Sequence, residues 1–224
     1  GEIGFDLIIR VELKDGNFGA HRRMLFDVGA VRKSDDAHRS LRHARDVPFE
    51  TPFLLFVNGL RSPVLDPVIG FISEWALYGY LLVFVGVALR QRDPKTTRAM
   101  LDGWLAFFIS VFVAETIIKP LVHRLRPTGV VALREQLHVL GAMPSATSTG
   151  MPSGTATACA AGAMWITIHF GKKWGALAWG CAMFISLTRL YVGIHYPTDL
   201  AVGLALGAII AWLVHRGVER FAQA

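Results

Sequence analysis

The chain reads as an all-α, polytopic membrane bundle of about five spanning helices, preceded by a short interfacial helix. Three observations support that class. Hydrophobic residues make up 53% of the 224 residues and charged residues only 18%, whereas a soluble domain carries about 25% charge. Five long apolar runs follow residue 60, each bounded by polar or turn-forming residues. The polar residues with chemical reach gather at the edges of those runs, between Lys119 and Asp199.

Residues 1–50 stand apart. Lys plus Arg number 9 there and Asp plus Glu also 9, so the segment is neutral and solvated. Leu7 to Leu13 is strand-like, Asp15-Gly16 is a turn signal, and Ser34 to Arg45 forms a short polar helix with Ser34 as its cap. We divide the chain into this polar segment, with no role assigned, and a membrane-embedded domain over 51–224. Phe53 to Leu60 is apolar but too short to span and belongs at the membrane interface. The five runs are Leu65–Leu89, Ala99–Val122, Thr155–Phe170, Lys173–Val192 and Thr198–Val214. The third and fifth are short, so tilt or local thinning must accommodate them. Both are crowded with small residues, Ala156 to Ala163 and Ala201 to Ala208, which let helix backbones approach closely. Cys159 and Cys181 lie inside apolar runs and act as small helix residues, giving neither a disulfide framework nor a cysteine metal site.

Loop charge sets the orientation. Arg90, Arg92, Lys95 and Arg98 lie between runs one and two, Lys172 and Lys173 between three and four, and Arg216 and Arg220 after run five. The positive-inside rule places these regions in the cytoplasm. The polar clusters then share the opposite face. The net charge of +6 reflects this loop bias. The basic residues are scattered and not interleaved with aromatics, so nucleic acid is not an expected partner.

The first cluster runs from Lys119 through Arg124 and Arg126 to Pro127. The second is Met151-Pro152-Ser153-Gly154-Thr155, and the third runs from Arg189 through His195 to Asp199. Taken singly, each is ordinary: snorkelling cations, a helix cap, a His near an Asp. Together on one face they supply what phosphoryl transfer needs. Ser153 caps the third run, and Gly154 lets an anion approach the helix N-terminus. Asp199 can hold one imidazole nitrogen of His195 and leave the other free to attack phosphorus. No His-x-x-x-His or Cys-x-x-Cys pattern accompanies them, so no metal or cofactor is expected in this site.

The clusters resemble the motifs of the type 2 phosphatidic acid phosphatase superfamily: Lys-x6-Arg-Pro, Pro-Ser-Gly-His and Ser-Arg-x5-His-x3-Asp. Lys119, Arg126 and Pro127 match the first. Pro152, Ser153 and Gly154 match the second up to its last place. Arg189, His195 and Asp199 match the third, with Thr188 where Ser is usual. The resemblance covers residues 53–214. It implies a helical membrane core and a metal-independent lipid phosphatase. His195 would carry a phosphohistidine, oriented by Asp199, while Lys119, Arg126, Arg189, Ser153 and the Gly154 amide hold the phosphate. The layout is similar to that of bacterial undecaprenyl-diphosphate and phosphatidylglycerophosphate phosphatases, which implies a membrane-lipid substrate and a bacterial inner-membrane location. The vanadium haloperoxidases share the superfamily, but they are typically soluble and this core is greasy.

One position departs from the pattern. The second motif ends in a general-acid His, and this chain has Thr155. Such an acid is worth ~10²–10⁴-fold in rate. Three readings stand: an engineered replacement, a natural one matched to a diphosphate whose leaving group needs little acid help, or another His, His123 or His138, in its place. A lipid-to-lipid phosphotransferase and a phospholipid-binding pseudoenzyme are the alternatives to hydrolysis. The sequence names no particular lipid and no oligomeric state.

Overall fold

The computed structural model describes residues 49–90 and 94–223. The expected strand at 7–13, turn at 15–16 and polar helix at 34–45 lie outside the described residues. Helices α1 (Glu50–Gly59), α2 (Leu65–Arg90) and α3 (Pro94–Phe112) come first. A π-helical segment, Val113–Ile118, carries α3 into the short α4 (Lys119–Val122). After a 3₁₀ turn at Pro127–Gly129 come α5 (Val131–Arg134), α6 (Gly154–Phe170), α7 (Lys172–Tyr191) and α8 (Pro197–Gln223). Pairing between extended segments among the described residues amounts to a single bridge, Leu125 to Thr149.

Local chemistry explains the helix ends. Ser153 is the N-cap of α6. Pro197 opens α8, where its missing N–H is not needed. Gly171, at φ 85°, turns the chain between α6 and α7 without a Cβ penalty. α8 continues past the apolar run that ends at Val214, because a helix stops at a breaker and not where hydrophobicity stops.

α6 is the central helix and packs on α3, α7 and α8. Its small residues form the core: Ala156, Ala158, Cys159, Ala160, Ala161 and Ala163 are all buried. The contact with α8 is so close that a Cβ on Gly207 would lie 2.0 Å from the Thr157 carbonyl oxygen. Large apolar side chains instead face outward, among them Phe71, Phe108, Leu177, Ile209 and Leu213. Small residues inside and large ones outside is the arrangement that a lipid solvent favours. Among the described residues, Thr97–Val122 and Pro197–Phe221 are long and apolar enough to cross a membrane, with mean hydropathy 2.0 and 1.8.

Candidate active site

The three polar clusters converge at one end of the bundle, where α4 ends and α6 and α8 begin. α4 ends at His123, which takes the left-handed conformation at φ 49° and turns the chain back toward the bundle. The next residues are tied to the segment before α6: the Arg126 N–H donates to the Ser148 carbonyl at 3.1 Å, and the Gly150 N–H to the Arg124 carbonyl at 2.8 Å. This ladder fixes the first motif beside the second. Arg126 Nε also donates to the Thr149 carbonyl at 3.3 Å.

The third motif is joined to the second through Asp199. The Ser153 N–H donates to the Asp199 carbonyl at 2.9 Å. The Asp199 carboxylate is fully buried and lies 3.2 Å from His195 Nδ1. Its Oδ2 also accepts from the Tyr196 N–H at 2.9 Å, and its Oδ1 lies 3.3 Å from Arg124 Nη1. An acceptor at Nδ1 keeps the imidazole proton there and leaves the Nε2 lone pair available. His195 is 1% exposed. Burial is the largest influence on it and lowers its pKa to about 4. Asp199 opposes that shift, and Arg126 and Arg189 reinforce it. The imidazole is therefore neutral near pH 7, as a nitrogen nucleophile must be.

Arg189, in the last turn of α7, donates through Nη1 to the carbonyl and hydroxyl of Ser73 on α2, at 2.7 and 2.9 Å. Its Nε–H is buried and makes no hydrogen bond among the described residues. Such a donor costs about 1–3 kcal/mol while unpaired, and a phosphate oxygen would satisfy it. Beside Ser73, an apolar groove of about 440 Å³ opens between α2 and α7, lined by residues that include Ile72, Ala76, Leu177, Phe184 and Ile185.

Lys119 is 8% exposed and forms an ion pair with Glu115, four residues earlier, at 2.6 Å. The π-helical segment carries Glu115. Its carboxylate also lies against α6, where a Cβ on Gly154 would come within 2.1 Å of Oε1. Burial lowers the pKa of Arg126 from its ordinary value, and the Glu115 and Asp199 charges oppose that shift. One carboxylate thus acts on Lys119, Gly154 and Arg126, three of the positions expected to hold phosphate. Phosphate held there would have to displace this carboxylate from Lys119 and Gly154 or be repelled by it.

The structure thus brings together Lys119, Arg126, Ser153, Gly154, Thr155, Arg189, His195 and Asp199, all of which the motifs singled out. Thr155 is half-buried in the first turn of α6. His138 is tied through its main chain to Asn58, its N–H donating to Asn58 Oδ1 at 2.9 Å. His123 is exposed. Sequence reasoning missed Glu115 and Glu50. Glu50, at the start of α1, is 2% exposed and pairs with Arg124 and Thr198. Arg124 also lies over the Tyr196 ring, 4.3 Å from its centroid. It therefore braces Asp199 and is not free for phosphate. No local pattern marks Glu50, whose partners lie 74 and 148 residues away, whereas Glu115 stands at the i,i+4 spacing of a helical ion pair with Lys119, a signal that was there to be read.

Known proteins place these features in context. The lipid A 4'-phosphatase of Bacteroides thetaiotaomicron is 27% identical over 178 residues, covering 74% of this chain and 75% of that protein. The undecaprenyl-diphosphatase of Sulfolobus acidocaldarius is 26% identical over 169 residues, covering 75% of this chain and 78% of that protein. A transmembrane PAP2-type phosphatidylglycerolphosphate phosphatase from Bacillus subtilis shares the fold, with a TM-score of 0.55 at 20% identity over 85% of this chain and 87% of its own. The family model for the PAP2 superfamily matches residues 99–222, which contain all three clusters, and the chain belongs to that superfamily.

Proposed function

We propose that this chain is an integral-membrane lipid phosphatase that forms a phosphohistidine at His195 and acts best on a lipid diphosphate. The observation that carries this reading is the buried His195–Asp199 pair, which feels the charges of Arg126 and Arg189 at one end of a bundle whose outer face is apolar. Two of the relatives named above are described as a lipid A 4'-phosphatase and an undecaprenyl-diphosphatase, which supports a lipid phosphate or diphosphate as the substrate class. In the proposed reaction, His195 Nε2 attacks phosphorus as the bond to the leaving oxygen breaks, and that oxygen keeps the electron pair. Lys119, Arg126, Arg189, Ser153 and the Gly154 amide stabilise the equatorial oxygens. Water then attacks phosphorus and the P–N bond breaks. Inorganic phosphate leaves, a proton passes to solvent, and neutral His195 returns. The apolar groove beside Ser73 accommodates part of the lipid chain.

Thr155 supports the choice of a diphosphate. Its hydroxyl cannot act as an acid near neutral pH. A phosphate monoester leaves as a stable anion, whereas an alkoxide needs a proton. The topology that accords with the loop charges has five spans (α2, α3 with α4, α6, α7 and α8) and the site facing away from the cytoplasm.

The test is phosphate release from a panel of undecaprenyl diphosphate, phosphatidylglycerophosphate and phosphatidate, with EDTA present. We expect the diphosphate to be preferred, and Thr155→His to raise monoester hydrolysis by ~10²-fold or more. His195→Ala should abolish turnover and the acid-labile phosphoenzyme. Silence in every variant, including Thr155→His, would overturn the reading in favour of a lipid-binding pseudoenzyme. Transfer of labelled phosphate to lipid with little free phosphate would make the chain a phosphotransferase.

A further inference from the structure

At the opposite end of the same helices lies a second constellation that the phosphatase reading does not use. Asp102 on α3, His169 in the last turn of α6 and His215 on α8 offer donor atoms that all lie within 4.8 Å of one another. About 23 Å of helix separates His169 from Gly154 and His215 from Asp199. His169 Nε2 lies 2.8 Å and His215 Nδ1 2.9 Å from the same oxygen, Asp102 Oδ2. The two imidazole rings stand almost perpendicular, 5.2 Å apart.

We infer that Asp102, His169 and His215 form a site for a divalent transition-metal ion of the zinc class, one that clamps α3, α6 and α8 together. Three features go beyond a plain hydrogen-bonded cluster. Asp102 is 2% exposed, and its Oδ1 is buried without a hydrogen-bond partner among the described residues. A buried carboxylate with an unsatisfied oxygen is costly, and a cation held by both carboxylate oxygens would satisfy it. The outer nitrogen of His215, Nε2, lies 3.3 Å from Glu219 Oε1. A carboxylate on the far nitrogen of an imidazole orients and strengthens a metal ligand. The imidazoles are 21% and 18% exposed, so the cluster is not sealed inside the bundle.

The donor set selects the metal. Two imidazoles and one carboxylate suit zinc and its first-row neighbours and not the oxygen-seeking magnesium or calcium. Three protein ligands leave a fourth tetrahedral position for water. Donors about 2.0–2.1 Å from a tetrahedral ion sit roughly 3.3 Å apart, so binding would lengthen the two His–Asp102 distances by about half an ångström. Spacing along the chain hides this site, because three distant segments contribute one donor each.

The experiment uses the full chain in detergent, stripped with EDTA, desalted and titrated with zinc chloride. Metal content, melting temperature and the visible spectrum of the cobalt(II) form are measured. We expect one zinc per chain, a rise in melting temperature of several degrees, and a tetrahedral cobalt spectrum. His169→Gln and His215→Gln should each weaken binding at least tenfold, and Glu219→Gln about tenfold. His195→Ala should bind zinc like the parent. Phosphatase rate measured well below the melting temperature should not depend on zinc, so this outcome is separable from that of the active site. A folded parent that takes up no zinc and shows no melting shift would overturn the inference. So would equal zinc uptake by the His169→Gln/His215→Gln double variant. If those variants fail to fold, the parent's cobalt spectrum and Glu219→Gln decide.

Discussion

At the residue scale, His195 combines a carboxylate partner with nearly complete burial, and the two act in opposite directions on its proton. Burial dominates and lowers its pKa from 6.5 to about 4. In the proposed reaction the neutral form is the nucleophile, so activity should be full well above that value and fall as pH drops through about 4. A pH profile of kcat/KM, which reports the free enzyme, checks this, and an acid limb centred near 6.5 would contradict it. The sign for stability is the same: the neutral-state preference contributes fully above about pH 6.5 and is lost as pH falls from there toward 4. Glu115 is the second residue-scale case. Its carboxylate sits where three of the positions proposed to hold phosphate meet. Glu115→Gln should therefore strengthen competitive inhibition by inorganic phosphate, by about tenfold. Weaker inhibition would show instead that Glu115 holds Lys119 in place for phosphate.

At the element scale, the α6–α8 contact carries the site, because Ser153 and Asp199 lie at the first turns of these two helices and are joined by one hydrogen bond. Gly207 makes that contact possible. Gly207→Ala would force a Cβ to 2.0 Å from the Thr157 carbonyl. Overpacking of this kind costs about 1–3 kcal/mol, so melting temperature and activity should fall together. Gly217, on the same helix, has nothing within 4 Å of an added Cβ. Gly217→Ala should be neutral or stabilise by up to about 1 kcal/mol. Equal effects at the two positions in a thermal melt would refute the packing argument. The π-helical segment matters at this scale too. It closes a five-residue turn from Ala114 to Lys119 just where Glu115 and Lys119 pair, a feature common at functional sites.

At the scale of the whole molecule, the proposed orientation rests on loop charge together with an apolar exterior and two polar ends. One end has the phosphate cluster. The other has Asp102, His169 and His215, close to Lys172, Lys173 and Arg216 in the sequence. A single cysteine placed at Met143, in a cysteine-free background, should react with an impermeant thiol reagent added to intact cells. One placed at Lys173 should react only after permeabilisation. The reverse pattern would turn the proposed topology over.

Much of this was legible in the sequence. Run length and composition set the helical class, because lipid requires backbone polar groups to be satisfied within each segment. Motif spacing singled out the polar cluster that the proposed reaction uses, since each motif is a local turn at a helix end whose geometry follows from nearby residues such as Ser153, Pro197 and Gly154. The tertiary structure decided the long-range partners: Glu50 with Arg124, Arg189 with Ser73, and Asp102 between two histidines 67 and 113 residues away. It also decided that Glu115 rests on Gly154. Such pairs leave no periodic trace in the chain. They arise when packed helices bring separate faces together, and burial then makes each charge depend on a partner that sequence spacing cannot name.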